Sequence, residues 1–326
     1  MSAAPRALII GEALIDIVDR AEPGPAAAAP IEHVGGSPAN VAMGLSRLGH
    51  DTTLATHLGD DARGARIRDY LAGEGVNFSP GSFTAARTST ARASIDTAGA
   101  ARYDFDIDWR FTPPADPAAF ALVHTGSIAL FLEPGGAAVA DYVVRLPSEV
   151  VVTLDPNIRP ALIPDHAVAL ARFERAAARA NLIKLSDEDA EWLYPGLSPA
   201  ETAQRVLALG VGSPDRGGDG GYDSDGADHR GAGGEHRIVV VTLGAAGAIA
   251  VTREREVAVP AAPAVVVDTI SAGDSFMASL ASSLLERGGP GAATHIDDVL
   301  DRAARAAAIA VSAAGANPPR RAQLDG

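Results

Sequence analysis

The sequence predicts an α/β fold: a mostly parallel sheet covered by helices on both faces, with a small second sheet beside it. Three observations predict this. Apolar runs of strand length alternate with Ala-rich amphipathic stretches along most of the 326 residues, the pattern of βα repeats around a doubly covered sheet. In "ARYDFDIDWRF", Tyr103, Phe105, Ile107 and Trp109 alternate with Asp104, Asp106 and Asp108, the period of a strand with one wet face. The composition, 47% hydrophobic, can fill a sizeable core.

Taken in order, "RALIIGEALIDIV" is expected to be a first buried strand. Its apolar run is broken by Glu12 and Asp16 and is too short for a signal peptide or a membrane span. "GGSPANVAMGLSRLG" reads as a turn and helix: Ser37 suits the N-cap, Pro38 the first helical position, and Gly49 the end, with Ala42, Leu45 and Leu48 as the apolar stripe. "VVVTLDPN" is a buried strand running into a turn. Residues 213–236 hold eight glycines and almost no apolar side chain, so they are expected to be a disordered insert. Val265–Val267 are expected to complete a last strand, and Ser275–Leu285 to form a helix after a turn over Thr269–Gly273.

The net charge of −14 and pI near 4.9 argue against nucleic acid and anionic membranes as partners. With no cysteine, thiolate chemistry, disulfides and cysteine zinc sites are excluded, which suits a cytoplasmic enzyme. No P-loop occurs, and no GxGxxG follows the first strand.

Three Gly-rich turns carry the chemistry. At the first, paired Gly35 and Gly36 let a ligand approach the backbone, and Asn40, a poor helix former, offers an amide to hydroxyls; taken alone, an ordinary turn and cap explain this stretch better. At the second, Asn157 and Arg159 follow the carboxyl end of a buried strand, where α/β sheets bind ligands; an Asx turn with a solvated arginine explains it equally well. At the third, "DTISAGDSFMASL", the amides of the turn opening the helix form a positive concavity. Asp274 stands at its edge, where the helix dipole is expected to keep it ionised and ready to accept a hydroxyl proton. A hydroxyl-reading turn, a basic turn and an anion hole beside a carboxylate together suit phosphoryl transfer.

These motifs, with "GEALID", "NLIKLSDEDAEWL" and "VTLGAAGA" in this order, resemble the ribokinase-like (phosphofructokinase-B type) carbohydrate kinases, and among them the bacterial fructokinases, from residue 11 to residue 319. The resemblance implies a three-layer α/β/α sandwich as a single domain over 1–326, with a β-sheet lid built from about 13–34 and 85–112. It implies that Asp16, Gly35, Gly36 and Asn40 bind the sugar, that Asp274 is the catalytic base, and that Ser271, Ala272 and Gly273 form the anion hole. Asn157, Arg159, Lys184, Thr242, Gly244 and Gly247 would serve ATP; Asp189 would be linked to Mg2+; Asp268, Ile270 and Gly315 would hold a monovalent cation such as K+. Ser271 stands where the family often has Gly, and Asp189 where Glu is usual.

The activity implied is ATP-dependent phosphorylation of fructose to fructose 6-phosphate. The alternatives are a 2-keto-3-deoxygluconate kinase, whose substrate carboxylate would want a cation such as Arg92 or Arg110 in the sugar pocket, and a non-catalytic sugar-binding regulator. A sugar and ATP are the expected partners, with a homodimer formed through the lid.

Overall fold

Along β1 (Arg6–Ile10), Ala7 and Ile9 enter one hydrophobic core while Leu8 and Ile10 enter another. The same division holds in a later strand, where Ile238 and Val240 face one core and Val239 and Val241 the other. Strands buried on both sides read as continuous apolar runs because neither face meets water.

The computed structural model describes residues 5–20, 30–95, 101–210 and 237–325; the Gly-rich stretch 213–236 lies outside them. After β1 come β2 (Leu14–Arg20), β3 (Ile31–Gly35), β4 (Asp51–Ala55), β5 (Asn77–Phe78), β6 (Thr90–Ile95) and β7 (Ala101–Asp106). Then follow β8 (Leu122–Gly126), β9 (Val151–Asp155), β10 (Leu182–Ser186), β11 (Ile238–Thr242), β12 (Ala248–Val251) and β13 (Glu256–Val259). Nine of these form one sheet in the order β13-β12-β11-β10-β9-β8-β1-β4-β5. It is parallel from β11 to β5, with β12 and β13 antiparallel at one edge.

Helices Ser37–Arg47, Ala272–Glu286 and Ile296–Val311 close one core through Val41, Leu45, Met277, Leu280, Val299 and Leu300. Helices Gly135–Val144, His166–Arg179 and Pro199–Ala208 close the other through Val139, Val143, Phe173 and Val206. The result is three layers. The chain winds outward from β1 in one direction through β4 and β5, then returns and winds the other way from β8. The switch point therefore lies between β1 and β8, and ligands of such sheets bind beyond the carboxyl ends of the strands there. A second sheet, β3-β2-β6-β7, joins the two distant segments by a parallel β2–β6 pairing between antiparallel hairpins.

Three expectations are corrected. The opening run is two strands in two different sheets, broken at Gly11, where a β-carbon would lie 2.2 Å from Pro38 Cγ. Val265–Val267 form no strand and are exposed, Val265 at 80%. The amides of Val267 and Asp268 bond the Val311 carbonyl instead of a neighbouring strand. The alternating segment stops being strand at Asp106. Trp109 lies beyond it in the second core, its indole Nε1 donating to the Ala129 carbonyl at 2.9 Å.

Candidate active site

A cleft of about 370 Å³ opens over the switch point. Its lining gathers Asp16, Gly36, Asn40, Asn157, Arg159, Lys184 and the run Ile270–Asp274, so residues expected to act together from far-apart turns do meet. The small sheet contributes Leu14, Asp16, Ala91 and Phe105 to the same wall.

Asp274 is buried, and its helix begins at Ala272 rather than at Ser275, which puts the carboxylate in the first turn. Ser37 Oγ donates to its Oδ1 at 2.6 Å and Asn40 Nδ2 to its Oδ2 at 2.8 Å. Ser37 is therefore not the cap expected of it: Gly36 takes the N-cap position, and the serine hydroxyl turns across to the other helix. The electrostatics also differ from expectation. Burial pushes the Asp274 carboxyl above its usual range, against the hydrogen bonds from Ser37 and Asn40 and the charges of Lys184 and Arg159. A carboxylate raised in this way holds a transferred proton better than a solvated one.

Gly35 is not in the cleft lining but shapes it, since a β-carbon there would fall 1.9 Å from Asp16 Oδ2. Burial raises Asp16 to about 6, with His33 and Arg159 opposing. The turn Ser271–Gly273 faces Lys184: a side chain at Gly273 would start 3.2 Å from Nζ. Asp155 Oδ2 holds that ammonium at 2.9 Å in a buried pair. Burial raises Asp155 to about 6 despite Lys184. Burial works against charge on Lys184, yet Asp155, Asp189 and Asp274 together leave it raised and charged. The Ala272 amide bonds the Thr269 carbonyl at 3.3 Å, a long contact. Ser271, Asn157 and Ser127 (φ 61°, 38° and 52°) are the non-glycine residues of positive φ among those described, and all three line this cleft.

Other expected residues lie outside the lining. Thr242 Oγ1 bonds the Leu185 carbonyl, Gly244 follows β11, and Gly247 lies where a β-carbon would meet the Val259 carbonyl at 2.0 Å. Both oxygens of Asp189 accept backbone amides, from Ile158 at 2.6 Å and Ser186 at 2.9 Å. It thereby braces the 155–159 turn. Asp268 accepts the amides of Ile270 at 3.0 Å and Gly315 at 2.9 Å, which hold its carboxyl below the usual range and draw the two segments together.

Sequence reasoning missed Glu12 and Ser127, which line the cleft beyond the ends of β1 and β8. In the sequence Glu12 interrupts an apolar run and stands inside the "GEALID" motif without a role of its own. The one available signal was a carboxylate at the end of a buried strand.

A family model described as "pfkB family carbohydrate kinase" matches residues 4–323. A fructokinase of Rhizobium leguminosarum bv. trifolii is 33% identical over 284 residues, covering 85% of this chain and 79% of that protein. The crystal structure of a fructokinase with bound ATP from Xylella fastidiosa superposes with a TM-score of 0.75 at 22% identity, covering 98% of this chain and 94% of the other. A ribokinase from Thermotoga maritima gives 0.72 at 20% identity, covering 99% and 98%. At these identities the two structures show a shared ribokinase-like fold.

Proposed function

The chain belongs to the pfkB family of carbohydrate kinases, and from that premise we propose that it transfers the γ-phosphoryl group of ATP to fructose, giving fructose 6-phosphate. The observation that carries this reading is the buried Asp274 carboxylate, held by Ser37 and Asn40 beside a helix-opening turn that faces the Lys184 ammonium. Asp274 accepts the proton of the sugar hydroxyl as its oxygen attacks the γ-phosphorus and ADP leaves. The amides of the Ser271–Gly273 turn and Lys184 neutralise charge on the transferring group, Arg159 covers the phosphates, and Asp16 and Asn40 orient the sugar.

Among the described residues no group of three or more His, Asp or Glu side chains is placed to hold a metal. Mg2+ bound with the nucleotide would neutralise charge on its phosphates, with Asp189 linked to it indirectly. K+ is assigned to the 268–270 turn and Gly315, the segments that Asp268 joins. Dimerisation through the small sheet, whose edge strand β3 leaves Ile31 51% exposed, and a cytoplasmic setting belong to the same proposal.

The acidic-sugar alternative finds less support. Arg92 pairs with Asp19 and Arg110 with Asp108, and neither lines the cleft. A coupled ADP-release assay over a panel of sugars tests the proposal. Fructose should give the highest kcat/KM; preference for an acidic sugar overturns the substrate, and no turnover with any sugar overturns the kinase.

A further inference from the structure

Lys184 is the one lysine of the chain; all the others among its 27 lysines and arginines are arginine. An arginine keeps its charge wherever it stands, whereas a buried lysine is charged only if its neighbours make it so. The Lys184 side chain is 5% exposed and lines the cleft. Its neighbour is Asp155. Asp155 ends β9, and Lys184 stands beside it in β10, one step beyond the Ile183–Leu154 pair of the parallel register. Among the described residues the ammonium makes a single hydrogen bond, to Asp155 Oδ2 at 2.9 Å, and it also meets the Ser271–Gly273 turn, where a β-carbon on Gly273 would lie 3.2 Å from Nζ.

Asp155 does not itself line the cleft. Its Oδ1 is shut from water with no hydrogen-bond partner. A carboxylate left half unsatisfied is costly to bury, so the pair adds little to stability. Its effect falls on the amine.

We propose that Asp155 is a positioning residue that acts through Lys184: as the buried counter-charge it keeps the amine an ammonium and holds it against the Ser271–Gly273 turn, ready for the transferring phosphoryl group. With Asp155 made neutral, the lysine loses the partner that offsets its burial and gives up its proton as the pH rises. The cleft then loses a positive charge beside the turn. Asp155 is the strongest of the acids acting on Lys184; Asp189, in the helix Asp187–Leu193, and Asp274 also favour the ammonium. His124 of β8 is held neutral by burial and by Lys184. Glu12, Asp16 and Arg159 line the same cleft.

The inference rests on the kinase reading for its purpose, and its test separates the two. A single lysine gives a single signal, so protein grown on isotopically labelled lysine reports the charge of Lys184 directly through its Cε resonance. That resonance is followed from about pH 6 to about pH 9.5 in the wild type, Asp155→Asn, Asp155→Ser and Asp155→Glu. Values of kcat and KM for ATP are measured over the same range, with folding checked by circular dichroism. In the wild type the resonance should keep its ammonium position throughout. In Asp155→Asn and Asp155→Ser it should move to the neutral-amine position, and kcat/KM for ATP should fall roughly tenfold or more in step with it. Either neutral variant alone suffices for the comparison. Asp155→Glu, which keeps the charge, should show neither change. A resonance that holds still in a folded neutral variant overturns the inference, as does an Asp155→Glu variant that titrates as Asp155→Asn does. An equal loss of activity at every pH would make Asp155 a structural residue and also overturns it. Absence of wild-type turnover with any sugar overturns the kinase reading, and the resonance then still decides whether Asp155 keeps the lysine charged.

Discussion

Two stretches of the chain share the pattern Ser-x-x-Asp at the start of a helix, "SDED" at 186–189 and "SAGD" at 271–274. In both, the aspartate is the third helical residue and is buried. At the first, Ser186 and Asp189 exchange hydrogen bonds in a capping box, and the second Asp189 oxygen takes the Ile158 amide. At the second, Ser271 is left-handed, makes no cap bond, and has an unpartnered hydroxyl. Asp274 is thereby released from its own helix end and turns to Ser37 and Asn40, more than 230 residues away in sequence. The same local motif closes on itself at one place and reaches across the fold at the other.

The sharpest test of this contrast is to remove one oxygen's charge at each place. Asp274→Asn should fold as the wild type does and lose kcat by roughly 10²-fold or more, the scale of a positioned base. Near wild-type turnover with fructose would remove Asp274 from the mechanism. Asp189→Asn should behave in the opposite way. An amide nitrogen would face a backbone N–H, so denaturant unfolding should show a loss of about 1–3 kcal/mol, while kcat per folded molecule should fall far less than in Asp274→Asn. A stable but inactive Asp189→Asn variant would mean that the two aspartates are not divided in this way.

Ser37→Ala sharpens the comparison from the partner's side. The Ser37 hydrogen bond pulls the Asp274 carboxyl down against burial, so its removal should raise that carboxyl further. The acid limb of the kcat/KM profile should move to higher pH, so activity along that limb should fall several-fold while activity on the plateau falls less. A uniform loss at all pH values would point to misplaced substrate instead.

The smallest effects are expected at the two serines of the motif. Ser186→Ala should cost about 1 kcal/mol of stability, the usual value of a cap. Ser271→Ala, with no cap bond to lose, should leave stability nearly unchanged and kcat/KM within about tenfold of wild type. A crippled but folded Ser271→Ala variant would show that the hydroxyl itself donates to the phosphoryl group.

The layering was legible in the sequence because strands such as Ile238–Thr242 are apolar on both sides, and that pattern depends on nothing distant. The gathering of Asp16, Asn40, Arg159 and Asp274 was legible through motif order. Ser37 was misread because its local role as a cap is indistinguishable from its long-range role until two helix starts are brought together. Val265–Val267 were misread as a strand because β-branched runs predict extended backbone, whereas only a neighbour can make a strand. Glu12 was passed over because burial, which gives it interest, is a property of the fold.

Ser127, Asn157 and Ser271 hold backbone conformations that L-residues disfavour by on the order of 1 kcal/mol or more, although asparagine suffers least. Glycine would relieve that strain, at the expense of greater freedom in the unfolded chain. Selection for heat resistance alone would therefore find easy gains at the three places where the cleft keeps its shape, and would tend to trade turnover for them. The positions open to relief of backbone strain and the positions that shape the cleft are here the same residues.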